Sequence, residues 1–352
     1  MDILGIETSC DETAAAVVRD GREVLSNVVY TQIPLHRPYG GVVPEIASRA
    51  HVEKITQVVS SALEGRRVDA VAATYGPGLS PALLVGYNAA KGLAASLGVP
   101  LFAVNHMEGH IHTPFLDTAL DPAEFMPALA LAVSGGHTTW MDMPSYGKYI
   151  VVGQTLDDAA GEAFDKAAKL LALGYPGGPV VDRMAAEWFK SGGGEMIAFP
   201  RGRVREGVSA LAGLDAGMCV SFSGLKTSLL RYVQKEGGAE ALAARGEIGR
   251  VVASYQEAIV DAVAETTARA LAARRRRALL VGGGVSLNSR LRERLKRVAD
   301  AAGVPLLLAK PKYCGDNGAM IAGLAYFRRT AEGDSAMKLD ISPSAAIGAN
   351  MV

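Results

Sequence analysis

Two stretches of this chain repeat one layout, and that layout limits the fold more than any other feature. Residues 3–8 form a short apolar run that stops at Ser9-Cys10-Asp11-Glu12-Thr13 and resumes over residues 14–18. Far downstream, residues 128–133 are apolar, Ser134-Gly135-Gly136-His137-Thr138 interrupts them, and residues 139–143 resume. Each reads as strand, tight polar turn, strand. Apolar strand runs then alternate with helical patterns, which indicates a largely parallel sheet covered by helices. The expected fold is α/β, with two domains of one architecture facing each other and residues 116–127 as the connection.

The first half continues with a break at Gly40-Gly41, a helix to about residue 63, a strand over 68–74 and a helix over 81–97 packed on both sides. A strand over 101–104 leads into Asn105-His106-Met107-Glu108-Gly109-His110-Ile111-His112. In the second half a helix is expected over 156–171, carrying Asp157, Asp158, Glu162 and Asp165. A loop over 174–179 opens a helix from residue 180. Residues 191–215 are polar and follow no period. Helices follow from 223 and over 248–275, then a strand at 279–281, a helix near 286, a last strand over 305–309 and a helix over 320–327.

Three of the chain's six histidines fall within residues 106–112. On a helix, His106 and His110 lie about 40° apart and one turn along, so both imidazoles reach one ion from the same face. Such a pair supplies half of a transition-metal site. His112 lies off that face and reads as a supporting or surface residue. Glu108 sits about 200° round from His106, so the general base of a His-Glu-x-x-His metallopeptidase is missing. Two imidazoles still need an anionic ligand. Asp316, between glycines and just ahead of an apolar helix, suits that role and equally suits an N-cap.

Glycine-rich turns after strands let backbone approach a ligand closely, and the helices beyond offer N–H groups to anions. None matches a P-loop, and none opens the first helix as a nicotinamide fingerprint. Lys+Arg and Asp+Glu balance at 36 each, so no global basic field advertises nucleic acid. Local clusters remain at Arg201, Arg203 and Arg205, at residues 274–277 and at 290–297. Three scattered cysteines argue against a disulfide framework. With no leader and no spanning run visible, the expected location is the cytoplasm, with no membrane partner.

Nine blocks carry a resemblance, in one order along the chain: ILGIETSCDETAAAVV (3–18), YGGVVPEIASRAH (39–51), NHMEGH (105–110), VSGGHT (133–138), GEAFDK (161–166), GYPGGP (174–179), SFSGLKT (221–227), GGGVSLN (282–288) and CGDNGAM (314–320). The sequence resembles the tRNA N6-adenosine threonylcarbamoyltransferases, formerly termed O-sialoglycoprotein endopeptidases, of the actin-like ATPase superfold. SFSGLKT resembles the bacterial branch. The resemblance implies two actin-like domains, residues 1–115 completed by 316–352, and residues 116–315. It implies transfer of threonylcarbamoyl from threonylcarbamoyl-AMP to the N6 amine of adenosine 37 in tRNAs reading ANN codons, with release of AMP.

The same resemblance implies one divalent metal on His106, His110 and Asp316, Fe(II) before Zn(II). It implies adenylate contacts at Val133, Ser134, Gly135, Gly136, His137, Asp165, Gly178, Asp182 and Asn288. It also implies two helper proteins, a paralogue of the same superfold and a P-loop ATPase. Asp165 and Asp182 suit ribose hydroxyls, the Arg201–Arg205 cluster suits tRNA, and Asp11 and Glu12 suit proton handling or phosphate placement. The catalytic base is not assigned. The alternatives are an ATP-dependent small-molecule kinase of the same superfold and a metallopeptidase.

Overall fold

The computed structural model describes residues 1–204, 213–328 and 336–348. They divide into two compact units: Met1–Met126 with Met143–Ile150 and Leu308–Val352, and Pro127–Asp142 with Val151–Leu307.

The first unit is built on a five-stranded sheet of order β3-β2-β1-β4-β5. Its strands are β1 (Asp2–Glu7), β2 (Glu12–Arg19), β3 (Glu23–Thr31), β4 (Ala70–Gly76) and β5 (Leu101–Asn105). β1 pairs antiparallel with β2 and parallel with β4, and β4 pairs parallel with β5, so the sheet is mixed. The period-2 alternation of apolar side chains sorts them onto two covered faces. Leu4, Ile6, Ala15, Val17, Val71 and Ala73 pack with Ile55, Val58 and Tyr87 of helices Pro44–Leu63 and Ser80–Leu97. Ile3, Ala16, Val18, Ala70, Ala72 and Phe102 pack with helix Gly318–Arg328. Burying a side chain such as Leu4 or Ile6 contributes about 1.5–3 kcal/mol.

Helix Gly318–Arg328 sits directly on the sheet. A Cβ on Gly5 would lie 2.3 Å from the Gly318 carbonyl oxygen, and one on Gly318 would lie 2.5 Å from the Ala16 amide nitrogen. That close approach sets Asp316, two residues ahead of the helix, beside the end of β1.

The second unit carries a sheet of order β10-β9-β6-β7-β8. Its strands are β6 (Ala128–Val133), β7 (Thr138–Met143), β8 (Ile150–Gln154), β9 (Ala278–Gly282) and β10 (Leu306–Leu308). β6 pairs parallel with β9, Ala128 opposite Ala278 and Ala132 opposite Gly282. Helix Ile248–Ala273 is clamped to β7 where Trp140 Nε1 donates to Thr267 Oγ1 at 2.8 Å. Among the described residues no helix is long and apolar enough to cross a membrane.

Several elements depart from the sequence reading. Helix Ser80–Leu97 buries one face only, since Leu84 and Leu97 are exposed. The helix expected from residue 156 begins at Ala160. Asp157 instead sits in the preceding loop, where its carboxylate accepts from the Phe222 and Ser223 amides and from the Ser221 and Ser223 hydroxyls. It thereby satisfies free N–H groups at the start of helix Ser223–Lys235. Gly177 and Gly178 form the first turn of helix Gly177–Lys190 rather than a loop. β3 and β8 are edge strands with mixed surfaces, and no alternation marked them. Of the segment 191–215, residues 205–212, including Arg205, lie outside the described residues.

A buried polar chain ties the hairpin tip to helix Pro44–Leu63. Thr13 Oγ1 donates to His51 Nδ1 at 2.8 Å, and His51 Nε2 donates to the Cys10 carbonyl at 3.0 Å. Burial holds the His51 pKa below the ordinary imidazole value despite that carbonyl. As pH falls, the unfolded chain therefore takes this proton first. The stabilisation is full above about pH 6.5 and is lost progressively below it. Urea unfolding at pH 7.5 and 5.5 checks this: wild type is expected to lose more stability than His51→Gln, and equal losses would contradict it.

Candidate metal centre

β5 delivers the chain at Asn105 into helix His106–His112. The Asn105 carboxamide oxygen accepts from the Met107 amide at 2.9 Å and the Glu108 amide at 3.3 Å, capping the helix. His106 and His110 then stack one turn apart, ring centroids 4.6 Å and planes 84° to each other. Asp316 meets them from the turn before helix Gly318–Arg328. Asn317 takes the capping role there, its side-chain oxygen accepting from the Met320 amide at 3.0 Å. Asp316 Oδ1 is thus left 3.1 Å from His110 Nε2 and 3.7 Å from His106 Nε2.

The three ligand atoms lie within 4.8 Å of one another. His110 is 1 % exposed, and neither of its ring nitrogens has a hydrogen-bond partner, although Asp316 is so near. Both Nε2 atoms gather round the same carboxylate oxygen. A buried imidazole without hydrogen bonds costs free energy, and a divalent cation there would take up one of its two nitrogens. Two imidazoles and a carboxylate with open positions suit such an ion.

Sequence reasoning missed Glu7. It ends β1 fully buried, with Oε2 3.0 Å from His106 Nδ1. Thr74 Oγ1 donates to the same oxygen at 2.6 Å, and the Ser9 amide donates to Oε1 at 2.5 Å. Ser9 Oγ is also 3.0 Å from His106 Nδ1. This carboxylate–imidazole contact fixes the ring and directs Nε2 to the ion point, as outer partners of metal-bound histidines do. Burial pushes the Glu7 carboxyl up, but the attraction of His106 outweighs it and holds the pKa low. Burial likewise pushes His106 down, and Glu7 and Asp316 overcome it, raising His106 to about 9. A carboxylate closing the apolar run ILGIE was the available signal.

Glu108 faces away from the trio, as expected: its carboxylate accepts from Arg328 and from the Gly348 amide at 3.1 Å. His112 is not at the surface. It is fully buried, donates from Nε2 to the Gly21 carbonyl at 2.8 Å, contacts the Tyr146 hydroxyl and packs on Phe115 and Phe327. Burial pushes it down to about 4. At the hairpin tip, Thr31 donates to Glu12 at 3.1 Å. Burial, with Asp11 and Asp316 nearby, pushes Glu12 up to about 10.

The other candidate residues belong to the second unit. Val133 ends β6, and the Ser134 amide closes the following turn on the His137 carbonyl at 2.8 Å. Helix Ala160–Leu170 abuts that turn: the Gly161 amide donates to the Ser134 carbonyl at 3.2 Å, and a Cβ on Gly161 would lie 2.7 Å from Gly135 Cα. Gly135 and Gly136 are exposed. Asp165 accepts from the Gly177 amide at 2.7 Å, which joins this helix to the start of Gly177–Lys190. Space around Gly178 is open, with nothing within 4 Å of a Cβ there.

Asp182 accepts from the Ser289 amide at 3.1 Å and the Ser289 hydroxyl at 2.9 Å. Asn288 caps helix Ser289–Ala302 by accepting from Leu291 at 2.9 Å, while its Nδ2 donates to Gln256 at 2.7 Å. Turn, helix starts and both carboxylates therefore belong to one unit. The basic clusters are largely compensated. Arg201 and Arg203 pair with Glu265, Arg276 with Asp142, Arg290 with Glu257, and Arg294 with Asp261.

A family model described as tRNA N6-adenosine threonylcarbamoyltransferase matches residues 23–323. A protein of that description from Geotalea uraniireducens is 49 % identical over 327 residues, 92 % of this chain and 90 % of its own length. One from Clostridium perfringens is 45 % identical over 354 residues, 98 % of each chain. Among solved structures, T. kodakarensis HypF aligns with a TM-score of 0.58 at 15 % identity, over 93 % of this chain and 48 % of that one. Component A of the (R)-2-hydroxyglutaryl-CoA dehydratase from Acidaminococcus fermentans aligns with a TM-score of 0.52 at 12 % identity, over 93 % and 98 %. At such identities the likeness is one of fold, the actin-like ATPase architecture of two similar domains, each a mixed sheet flanked by helices.

Proposed function

The chain belongs to the tRNA N6-adenosine threonylcarbamoyltransferase family, and from that membership we propose its donor, its acceptor position and the residues that handle each. It is an enzyme that transfers a threonylcarbamoyl group to the N6 amine of adenosine in tRNA. The donor is threonylcarbamoyl-AMP, and the acceptor is adenosine 37 of tRNAs reading ANN codons. The amine nitrogen bonds to the carbamoyl carbon, the bond from that carbon to the phosphate oxygen breaks, AMP leaves with the electron pair, and the amine gives up one proton.

The observation that carries the site is the buried His110, neither of its nitrogens hydrogen-bonded, gathered with His106 round Asp316. These three would hold one divalent ion, Fe(II) before Zn(II) on the family resemblance, and such an ion would supply electrophilic polarisation of the carbamoyl group. Glu7 holds His106 Nδ1 and leaves Nε2 for that ion. The turn at Val133, Ser134, Gly135, Gly136 and His137 and the helix N-termini beyond it receive the phosphate. Asp165 and Asp182 accept ribose hydroxyls with their remaining lone pairs, Gly178 leaves room for the nucleoside, and Asn288 shapes the floor. An aromatic amine is a weak nucleophile, so placing it against the donor supplies much of the rate. Glu12 and Asp11 at the hairpin tip handle protons or place the phosphate.

The Arg201–Arg203 cluster meets tRNA phosphates by exchanging its present carboxylate partners. A paralogue of the same superfold and a P-loop ATPase assist turnover, in the cytoplasm. The kinase and metallopeptidase readings are not favoured, and for the latter the carboxylate that would serve as base is committed to Arg328.

The test is a single-turnover reaction with threonylcarbamoyl-AMP and an unmodified tRNA transcript, run with and without helpers and read by nucleoside mass. Modified adenosine at position 37 and an equal yield of AMP are expected. Consumption of ATP against a small hydroxylated acceptor, with no modified nucleoside, would hand the case to the kinase reading.

A further inference from the structure

Residues 336–348 run across the first unit as an irregular strap of turns, and several of their contacts fall on the parts that hold the two histidines. The strap is anchored at its start, where Tyr87 donates to the Ala336 carbonyl and Lys91 to the Leu339 carbonyl, both at 2.8 Å. Ala336 is buried in the core, with Leu339, Ile341 and Ala345 packed beside it. From there two routes reach the metal centre. On the first, the Ser342 amide donates to the Tyr75 carbonyl at 2.7 Å, and the Pro343 carbonyl accepts from Gly78 at 3.1 Å. The next residue, Leu79, donates to the Ser9 carbonyl at 2.8 Å, and Ser9 Oγ touches His106 Nδ1 at 3.0 Å.

On the second route, the Ala346 carbonyl accepts from Asn105 Nδ2 at 3.3 Å, and the Gly348 amide donates to Glu108 Oε1 at 3.1 Å. Asn105 caps the histidine helix. Glu108 is 1 % exposed, lies on the face opposite the ligands and is neutralised by Arg328. A helix of seven residues is too short to hold its own geometry in water, so outside contacts must fix it.

We propose that residues 336–348 form a strap that positions the histidine helix, with Glu108 and Asn105 as its attachment points, and that seating of the strap sets the metal affinity of the His106–His110–Asp316 centre. Glu108 is a positioning residue, acting through the helix without touching the ion or the substrate. The proposal rests on the metal reading of that centre.

The experiment titrates Co(II) into the metal-free full-length protein, read by the d–d absorption band, at a temperature well below the unfolding midpoint. Wild type, Glu108→Ala, Glu108→Gln and Asn105→Ser are compared, and thermal midpoints are measured without metal. Serine retains helix capping but cannot reach Ala346. The expected result is Kd weakened about tenfold or more in Glu108→Ala and Asn105→Ser, within the range for lost outer-shell support, with a changed band shape. Glu108→Gln, which retains the acceptor for Gly348, should lie nearer wild type. A merely structural role would lower the midpoint while leaving Kd and band unchanged, and that result overturns the strap. If Glu108→Ala fails to fold, Asn105→Ser decides alone. Wild type that binds no Co(II) removes the metal reading, and the strap with it; wild type that binds while both variants bind equally well removes the strap alone.

Discussion

Replacing His110 with alanine is expected to abolish metal binding and to lower single-turnover threonylcarbamoyl transfer by about a thousandfold, a loss of roughly 4 kcal/mol of transition-state stabilisation. Three protein atoms define the ion point, and the variant leaves two of them, 3.7 Å apart, His106 Nε2 and Asp316 Oδ1. Without the ion those two form an ordinary imidazole–carboxylate pair. His110 is also the cleanest of the three to remove. Neither of its nitrogens is hydrogen-bonded, and Asp316, its neighbour at 3.1 Å, is partly exposed and keeps His106 nearby. Folding should therefore survive, at the cost of a small cavity of about 1–3 kcal/mol. The checks are metal content by elemental analysis, transfer by nucleoside mass and the thermal midpoint. Transfer at the wild-type rate in metal-free His110→Ala would leave the family assignment standing and remove the metal from the chemistry.

What could be read in the sequence, and what could not, follows from the range of each interaction. His106 and His110 were legible because helix geometry is local: four residues apart means one face, whatever surrounds them. The hairpin 2–19 was legible because its apolar runs are buried on both sides. Asp316 was ambiguous between ligand and cap because both roles suit a carboxylate before a helix. The structure separates them only through Asn317, which takes the cap. Glu7 was missed because its partners come from β4 and from the histidine helix, residues far away in sequence. Asp157 was placed on a helix for the same reason, since what stops the helix is a set of donors near residue 222. His112 was misjudged because its surroundings include Gly21, Tyr146 and Phe327, from three separate stretches.

The second unit allows a test in which fold and ligand can be separated, because two of its glycines have opposite surroundings. A Cβ on Gly161 would lie 2.7 Å from Gly135 Cα and from the Ser134 carbonyl oxygen, both backbone atoms that cannot rotate aside. Gly161→Ala must therefore push the Ser134–His137 turn out of place, and AMP affinity is expected to fall at least tenfold, about 1.4 kcal/mol. Gly178 has nothing within 4 Å of a Cβ and lies in the first turn of helix Gly177–Lys190. Alanine there meets no clash and favours the helix by roughly 0.5–1 kcal/mol, so the protein should be as stable as wild type or slightly more so. If the open space at Gly178 is where the nucleoside lies, Gly178→Ala will nevertheless bind AMP more weakly. The measurement is calorimetric titration with AMP, together with thermal midpoints and Co(II) binding, which neither variant should disturb because the histidines belong to the other unit. Weakened AMP binding with an unchanged or raised midpoint in Gly178→Ala is a result that packing cannot produce. Undiminished binding in both variants would move the nucleotide away from this turn and these helix ends.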